Sequence, residues 1–280
     1  MKKIGVVRFR RIISLLVLAL FPFVVDAEIY QWKDKFGKTH FSDVKKAQAK
    51  LVQINSGHGY FYVKRVFDGD TVMLENGTKI RLLGINAPEV EHRNKSGQPG
   101  GEEAKRWLEG VVLGKKIRLQ KDIEKKDKYG RTLAHIFTQD RRHINLELVE
   151  AGLATVNIHP PNLKFTDELL RAQKLAESKK LGVWEYPGYQ PKTVASIEGS
   201  RLKGWQRLVG NVLRIRESRK YAYLVFSKQF DARIALDNLR YFPDLKKYIG
   251  KKIEVRGWIS RRKKHLSMLI RHPAAIKMAE

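Results

Sequence analysis

Five short strand-like runs between residues 60 and 137 constrain the fold of this chain more than any other feature. They are Tyr60–Phe67, Thr71–Glu75, Lys79–Ile85, Lys116–Gln120 and Thr132–Phe137. Helical periodicity is found at Glu102–Val112, Ile144–Ala151 and Thr166–Lys180. Short strands interspersed with a few helices are typical of a small Greek-key barrel of the OB type. We therefore predict a β-rich α+β fold in which residues 60–186 form a five-stranded OB-fold barrel with about three helices.

A second group of strand-like runs follows residues 187–200, which we predict to be a linker. The runs are Leu208–Ile215, Tyr221–Phe226, Ala232–Leu236, Lys252–Ser260 and Leu266–Ile270. They predict another small β-barrel of OB-like type over residues 201–280. This region has 21 Lys and Arg residues against 6 Asp and Glu residues, a net charge of +15 out of +27 for the whole chain.

Such a basic excess, interleaved with aromatic residues, favours a polyanionic partner. Bases of a nucleic acid could stack on Tyr221, Tyr223, Phe226 and Trp258, although strand alternation should bury about half of these aromatics. We predict that residues 201–280 tether nucleic acid without sequence preference. The basic segment "RRKK" at 261–264 is expected to be a solvated hairpin tip, with a phosphate contact as the second choice.

The first 27 residues have the features of a secretory signal peptide. A basic start precedes an apolar run at Ile12–Val25, which is shorter than the roughly 20 residues of a spanning helix, and Val25-Asp26-Ala27 provides a cleavage site. Five basic residues and one acidic residue lie before residue 28, so the mature chain retains a net charge of +23. We expect a periplasmic or secreted monomer without a stable membrane span.

Residues 28–44 contain "IYQWKDKFGKTHFSDV", in which aromatic and polar residues alternate around a Gly-containing turn. This pattern predicts a short hairpin. It resembles a small N-terminal module of unknown role on exported bacterial proteins, marked by Tyr-x-Trp-x-Asp and a later Phe-Ser-Asp. Residues 45–59 are predicted to be a polar linker.

The stretch "VFDGDTVMLENGTKIRLLGINAPE", Val66–Glu89, carries acidic and basic residues among regular apolar ones. The Asn-Gly pair at 76–77 predicts a two-residue type I′ turn. In that register Val72 faces Arg81, and Asp70 and Arg81 are diagonal neighbours on one face, roughly 7 to 8 Å apart at the backbone. An acid and a base at this separation could hold a cation and a phosphate.

Oxygen donors collect around the end of this stretch. Asp70, the Asn86 amide and the backbone carbonyl of Ala87 offer the ligands that calcium prefers, and Pro88 fixes the turn that aims Glu89. The chain has no cysteine, so any metal must be held by oxygen or nitrogen. A second arginine, Arg131, follows a Tyr-Gly turn in "DKYGR", and two guanidiniums can clamp one phosphate.

In this order, "FDGDT", "IRLLGINAPE", "DKYGR", "INLELVEAGLA" and "LGVW" resemble the thermonuclease family, the staphylococcal-nuclease-like OB-fold enzymes. The resemblance covers residues 60–185. It implies a calcium-dependent endonuclease that hydrolyses phosphodiester bonds of DNA and RNA and leaves 3′-phosphates. Asp70 matches the family's metal aspartate and Asp68 a nearby acid, Arg81 and Arg131 match the phosphate-binding arginines, and Glu89 matches the catalytic glutamate.

Two positions depart from the family pattern. Asn86 stands where a second metal aspartate is usual, so calcium binding is expected to be weaker. Ile158, His159 and Pro160 replace tyrosines that help to seat the nucleotide, and His159 could substitute for them. With Lys128 and Tyr129 of "DKYGR", His159 is expected to contact substrate.

A second function stays open at this point. A barrel of this kind that has lost activity through Asn86 could simply bind nucleic acid or an anionic cell surface. The presence of Glu89 and both arginines favours the enzyme, because a pure binding protein needs positive charge but has no evident use for that glutamate.

Overall fold

A computed structural model describes residues 29–34, 37–45, 49–52, 59–91, 96–197, 199–200 and 202–279. The predicted signal peptide therefore lies outside the described residues. The chain divides into two compact units, residues 1–57 and 58–280, which are considered separately. Within the described residues, no helix combines the length and hydrophobicity needed to cross a membrane.

The first unit contains a small antiparallel sheet. Its strands are β1 (Ile29–Lys33), β2 (Thr39–Ser42) and β3 (Lys50–Val52). The predicted hairpin corresponds to β1 and β2, but residues 50–52 of the predicted linker form β3, which pairs with the other edge of β1. This third strand satisfies backbone groups that a lone hairpin leaves open, so the linker prediction is wrong for these residues.

The second unit begins with a closed barrel of five strands, as predicted. The strands are β4 (Tyr60–Asp68), β5 (Thr71–Leu74), β6 (Lys79–Leu82), β8 (Lys116–Gln120) and β9 (Thr132–Thr138). They close in the order β4-β5-β6-β9-β8, and β6 and β9 form the parallel pair. Two further short strands, β7 (Ile85–Asn86) and β10 (Thr155–Val156), pair with each other in antiparallel orientation.

Three α-helices described in this region pack against the barrel. They are α1 (Gly101–Val112), α2 (Ile144–Glu150) and α3 (Thr166–Ser178), close to the predicted bounds. Leu74, Ile80 and Ile136 are fully buried in the barrel, and Leu108 of α1 and Leu169 of α3 join the same core. This apolar packing provides the rigid frame on which the polar site is built.

The turn between β5 and β6 differs from the prediction. Leu74 N–H donates to the Thr78 carbonyl, and Gly77 adopts φ = +79°, which places three residues in the loop. The pairing is therefore shifted by one residue, so that Arg81 faces Thr71 instead of Val72. The Asn-Gly cue located the turn correctly, but glycine in the left-handed region also suits a three-residue loop with a bulge.

A second sheet follows two short 3₁₀ helices at Gly182–Glu185 and Pro187–Tyr189, and a third short 3₁₀ helix at Ala195–Ile197 lies between its first two strands. The strands of this sheet are β11 (Lys192–Thr193), β12 (Trp205–Asn211), β13 (Arg214–Glu217), β14 (Tyr221–Val225), β15 (Phe230–Ala235), β16 (Lys252–Arg262), β17 (His265–Ile270) and β18 (Ile276–Met278). The main path runs β12-β16-β17-β15-β14-β13. Because β12 and β13 are two halves of one interrupted strand, this path has the same connectivity as the first barrel, including a parallel pair, β15 and β17.

Contrary to the linker prediction, residues 187–197 pack against the second sheet and against the end of α3. Strand β11 pairs in parallel with β12, and Tyr189, Val194 and Ile197 are buried. Regularly spaced apolar side chains and a strand edge in need of a partner explain this packing.

Ion pairs fix the second sheet to the first barrel. Arg256 of β16 donates to Glu177 of α3 with an Nη2 to Oε2 distance of 3.1 Å, and Arg207 lies 3.8 Å from the same carboxylate. Arg207 also donates to Glu254 at 2.8 Å. Hydrogen bonds from these arginines outweigh burial and lower the pKa of Glu254.

Two histidines, the buried His135 of β9 and the half-buried His143 just before α2, contact each other. Nδ1 of His135 is 3.1 Å from Nε2 of His143, and the Phe165 ring packs against both imidazoles. Burial, with the charges of His143 and Lys164, lowers the pKa of His135 to about 3. Burial also lowers the pKa of His143 to about 4, against the opposing effect of nearby glutamates. Both rings are therefore neutral at neutral pH.

The free energy of unfolding is expected to decrease as the pH is lowered from about 7 to about 4. The unfolded chain protonates both histidines near pH 6.5, whereas the folded protein does so only near pH 3 to 4, so acid favours the unfolded chain. Denaturant titrations at several pH values measure this slope. The variant His143→Gln keeps hydrogen-bonding capacity and should flatten it; an identical slope in the variant would contradict the assignment.

Candidate active site

Asp70 occupies a buried position at the entrance to β5. Its Oδ2 accepts a hydrogen bond from Ala87 N–H at 2.8 Å and lies 2.9 Å from Arg81 Nη2, and its Oδ1 accepts from the Thr71 hydroxyl at 3.0 Å. Burial raises the pKa of Asp70 to about 6, although Arg81 acts in the opposite direction; the Asp68 charge raises it further. The site thus holds a carboxylate whose negative charge is incompletely compensated.

Arg81 joins Asp70 to Asn86. Its Nη2 donates to Asn86 Oδ1 at 3.2 Å, and its Nη1 donates to the Leu82 carbonyl at 2.6 Å. Asp70 lies in the turn before β5, outside the pleat of the strand, so it reaches Arg81 even though the register differs from the predicted one. The acid and the arginine therefore meet, as the sequence predicted, through a turn rather than through diagonal strand neighbours.

The oxygen donors predicted for calcium lie together. Asp70 and Asn86 contact the same guanidinium nitrogen, and Asn86 Nδ2 donates to the Ala87 carbonyl at 3.1 Å. Asp68 is adjacent, because its Oδ1 accepts from Asp70 N–H at 2.9 Å. Carboxylate, amide and carbonyl oxygens suit a hard cation, and a cation would also relieve the Asp68 to Asp70 repulsion.

This donor set contains few charged ligands. Among the described residues, no group of three His, Cys, Asp or Glu side chains is arranged to hold a metal ion. Asn86 explains part of this result, since it contributes an amide oxygen where the family pattern has a carboxylate. The residues fit calcium in donor type, with Asp70 as the buried carboxylate and neutral oxygens from Asn86 and Ala87.

Arg131 is held by the turn that precedes β9. Its Nε donates to Asp127 Oδ2 at 2.7 Å, and Asp127 Oδ1 accepts from the backbone N–H groups of Tyr129 and Arg131. Burial opposes ionisation of Asp127, but these hydrogen bonds outweigh it and lower its pKa. The Tyr129 ring is exposed and lies beneath two cations, with Lys128 Nζ at 4.9 Å and Arg131 Cζ at 5.5 Å from its centre.

Arg81 and Arg131 line one pocket of about 620 Å³, here called the arginine pocket. Lys128, Tyr129 and His159 also line it, so all three residues predicted to contact substrate lie at the same cavity. The His159 side chain is exposed to solvent yet sits in this concave surface, and its Nε2 lies 3.2 Å from Asn157 Oδ1, which can only accept a hydrogen bond. Desolvation within the pocket, with the charges of Arg271 and Arg81, lowers the pKa of His159 to about 4.

Glu89 is positioned by its backbone. Its N–H donates to Gln98 Oε1 at 3.1 Å, and its carbonyl accepts from Gln98 N–H at 2.8 Å. Gly101 of α1 approaches this carbonyl so closely that a Cβ atom would lie 2.4 Å from it. The half-buried Glu89 side chain is not among the described residues that line the arginine pocket. Its approach to the scissile phosphate stays a prediction.

Two residues at the site were not foreseen from the sequence. Asp127 orients Arg131, and the turn motif "DKYGR" could have indicated this through the spacing of its first and last residues. Arg271 of the second sheet lines the arginine pocket. Nothing local in the sequence connects Arg271 with the site, because the folding of two sheets against each other brings it there.

A closed OB-type barrel that carries a buried acid, an amide and two arginines defines the architecture of a nuclease-like domain. The profile of the family "Staphylococcal nuclease homologue" matches residues 79–186, and residues 16–58 match a domain of unknown function (DUF4124). The chain belongs to the staphylococcal nuclease homologue family. This confirms the predicted resemblance and the prediction of an enzyme of the nuclease class.

Curated relatives are similar to about half of the chain. A thermonuclease of Staphylococcus intermedius is 38% identical over 128 residues, spanning 45% of this chain and 76% of the relative. A thermonuclease of Staphylococcus hyicus is 34% identical over 133 residues, 46% of this chain and 78% of the relative. Endonuclease YncB of Bacillus subtilis (strain 168) is 34% identical over 167 residues, 58% of this chain and 74% of the relative.

Proposed function

We propose that the protein is an exported, calcium-dependent endonuclease that hydrolyses phosphodiester bonds in both DNA and RNA and releases 3′-phosphates. The position of Arg81 carries the proposal. Arg81 contacts Asp70 and Asn86, and it also lines the cationic arginine pocket together with Arg131. A phosphate bound at Arg81 would therefore lie between an oxygen ligand set and a second guanidinium.

Asp70, Asn86 and the Ala87 carbonyl would hold calcium. When bound, the ion supplies charge neutralisation for the phosphate oxygens. Arg81 changes partners in this scheme, because its guanidinium leaves the carboxylate and donates to the phosphate. This exchange is favourable only when a cation and a phosphate are both present, which couples metal binding to substrate binding.

Arg131 and Glu89 supply the remaining chemistry. Asp127 orients the Arg131 guanidinium. This guanidinium donates to an equatorial phosphate oxygen, where negative charge grows as the pentacoordinate phosphorus forms. Glu89 orients or deprotonates the attacking water, and its backbone is anchored by Gln98 and Gly101. Attack on phosphorus with departure of the 5′-oxygen leaves the phosphate on the 3′ side.

Export is supported by the basic and apolar pattern of residues 1–27 and by the module that follows it. A cleaved protein would act in the periplasm or outside the cell. Secretion of a reporter fused to residues 1–27, with retention when the apolar run is interrupted by charges, would support this part of the proposal.

Cleavage of plasmid DNA and of RNA is expected in the presence of calcium and is expected to stop when a chelator is added. The purified protein, incubated with each substrate in parallel, provides the measurement, and end-group analysis of the fragments distinguishes 3′-phosphates from 5′-phosphates. Substrate binding without metal-dependent cleavage would instead support the second function, a barrel that has lost activity through Asn86 and only binds nucleic acid.

A further inference from the structure

Arg271 brings the second sheet to the edge of the arginine pocket. It follows the last residue of β17 and lines the pocket together with Arg81, Arg131 and His159. A few residues further on, Ala274 packs against the core of the first barrel. Arg271 is thus held at the pocket by a packed interface between the two sheets.

Tyrosine and arginine side chains continue from Arg271 across the second sheet. Tyr223 is the register partner of Arg216 on one side and of Arg233 on the other. Cross-strand partners point to the same face, and Tyr221, two residues before Tyr223, shares that face. Arg233 pairs in turn with β17 at a position two residues before Arg271. We call these five residues the arginine–tyrosine row.

The members of the row contact one another. Arg216 Cζ lies 3.7 Å from the centre of the Tyr223 ring, and Arg233 Cζ lies 5.4 Å from the centre of the Tyr221 ring. The two rings are 6.2 Å apart at an angle of 61°. Both tyrosines are half-buried, so they are fixed in place while part of each ring stays accessible. By contrast, Phe226, which the sequence offered as a stacking residue, is buried in the core.

Two cations of the row lack a counter-ion. In the described part of the chain, neither Arg233 nor Arg271 forms an ion pair with a carboxylate, whereas Arg216 pairs with Asp231 at 3.1 Å. Arg233 Nε is also buried without a hydrogen-bond acceptor among the described residues. Burial and the neighbouring charge of Arg233 lower the pKa of Arg271. An anion bound between these two guanidiniums would satisfy both.

We propose that the arginine–tyrosine row is a binding track for single-stranded nucleic acid that leads away from the arginine pocket; this rests on the nuclease function proposed above. Arg271 binds a backbone phosphate at the edge of the arginine pocket, Arg233 binds a phosphate further along the strand, and Tyr221 and Tyr223 stack with bases. In a duplex the bases stack on each other, so only an unpaired strand offers base faces to these rings. The second sheet thereby selects single-stranded segments and directs them to the site.

Measuring binding under conditions without cleavage tests this track separately from the active site. The probes are fluorescent oligothymidylates of about 4, 8 and 16 nucleotides, lengths chosen to bracket the site size of one OB-type module. Fluorescence anisotropy with the full chain in chelator reports affinity, and a blunt duplex of about 16 base pairs serves as the second ligand. Circular dichroism and thermal unfolding accompany each variant.

Arg233→Gln is expected to weaken binding of the longest single strand about tenfold and to reduce its salt slope by about one, with little effect on the shortest. Tyr223→Leu should cause a similar loss of affinity without changing the salt slope, because stacking releases no counterions. The matched control is Arg262→Gln, which removes an exposed arginine at the end of β16, paired with the first residue of β17 and so at the opposite end of that strand from Arg271. It should change affinity less than about twofold.

The proposal is overturned if Arg233→Gln and Tyr223→Leu bind single strands as well as Arg262→Gln does. Equal losses for the duplex and the single strand would also overturn it, since they would indicate a duplex-binding surface. If Arg233→Gln does not fold, Arg271→Gln carries the same expectation. Failure of the wild-type protein to cleave with calcium would overturn the proposed nuclease function, whereas the track is judged by binding alone.

Discussion

Replacement of Arg131 by alanine is expected to slow phosphodiester cleavage by about 100-fold to 1000-fold, the usual cost of losing one donor to a developing negative charge. The free energy of unfolding should change by about 1 kcal/mol or less, because the ion pair with Asp127 is partly exposed and screened by solvent. Asp127 also keeps its hydrogen bonds from backbone N–H groups in the variant. Steady-state cleavage of a labelled oligonucleotide and denaturant titration measure the two effects.

Two further variants separate the role of Arg131 from general positive charge. Arg131→Lys keeps the charge but loses the planar fork, so it should be intermediate in rate. Lys125→Ala removes another cation of the arginine pocket and should slow cleavage only a few-fold. If Lys125→Ala cleaved as slowly as Arg131→Ala, the total charge of the arginine pocket, and not Arg131 itself, would determine the cleavage rate. A large loss of folding stability in Arg131→Ala would make Arg131 a structural residue.

Removing a carboxylate from the proposed calcium ligands, and adding one, are expected to shift calcium affinity in opposite directions. Asp70→Asn removes the buried carboxylate and should raise the calcium dissociation constant at least about tenfold, whereas Asn86→Asp adds a carboxylate and should lower it about tenfold, each step equal to about 1.4 kcal/mol. In Asn86→Asp the Ala87 carbonyl loses the amide donor that now occupies it. Calorimetry and calcium titration of cleavage report both shifts.

The control for these substitutions is Glu124→Gln, which removes a negative charge from the arginine pocket and leaves the proposed calcium ligands unchanged. Its calcium affinity should be unchanged. Burial already disfavours the charged form of Asp70, so Asp70→Asn should still fold, and circular dichroism checks this. If Asn86→Asp leaves the calcium requirement where it was, Asn86 is not a ligand.

The sequence indicated the barrel, its helices and the family, because each strand and helix there carries its own periodicity and turn residues. It also singled out Asp70 and Asn86, which both contact Arg81, and Arg131, which lines the same pocket as Arg81. The register of the turn at residues 75–78 was missed by one residue, since an Asn-Gly pair serves both a two-residue and a three-residue loop.

The amino-acid sequence by itself determined which chemical groups this protein has and which segments form the strands of its first barrel, because those properties depend on neighbouring residues. Only the tertiary structure decided that residues 187–197 are packed, that Phe226 is buried, and that Arg271 reaches the arginine pocket. The position of Arg271 depends on how the two sheets pack, with Arg256 and Arg207 contacting Glu177, which is far away in the chain. The burial of Phe226 depends on the core of the second sheet itself. Periodicity reports which face of a strand is apolar, but not which distant surface will cover it.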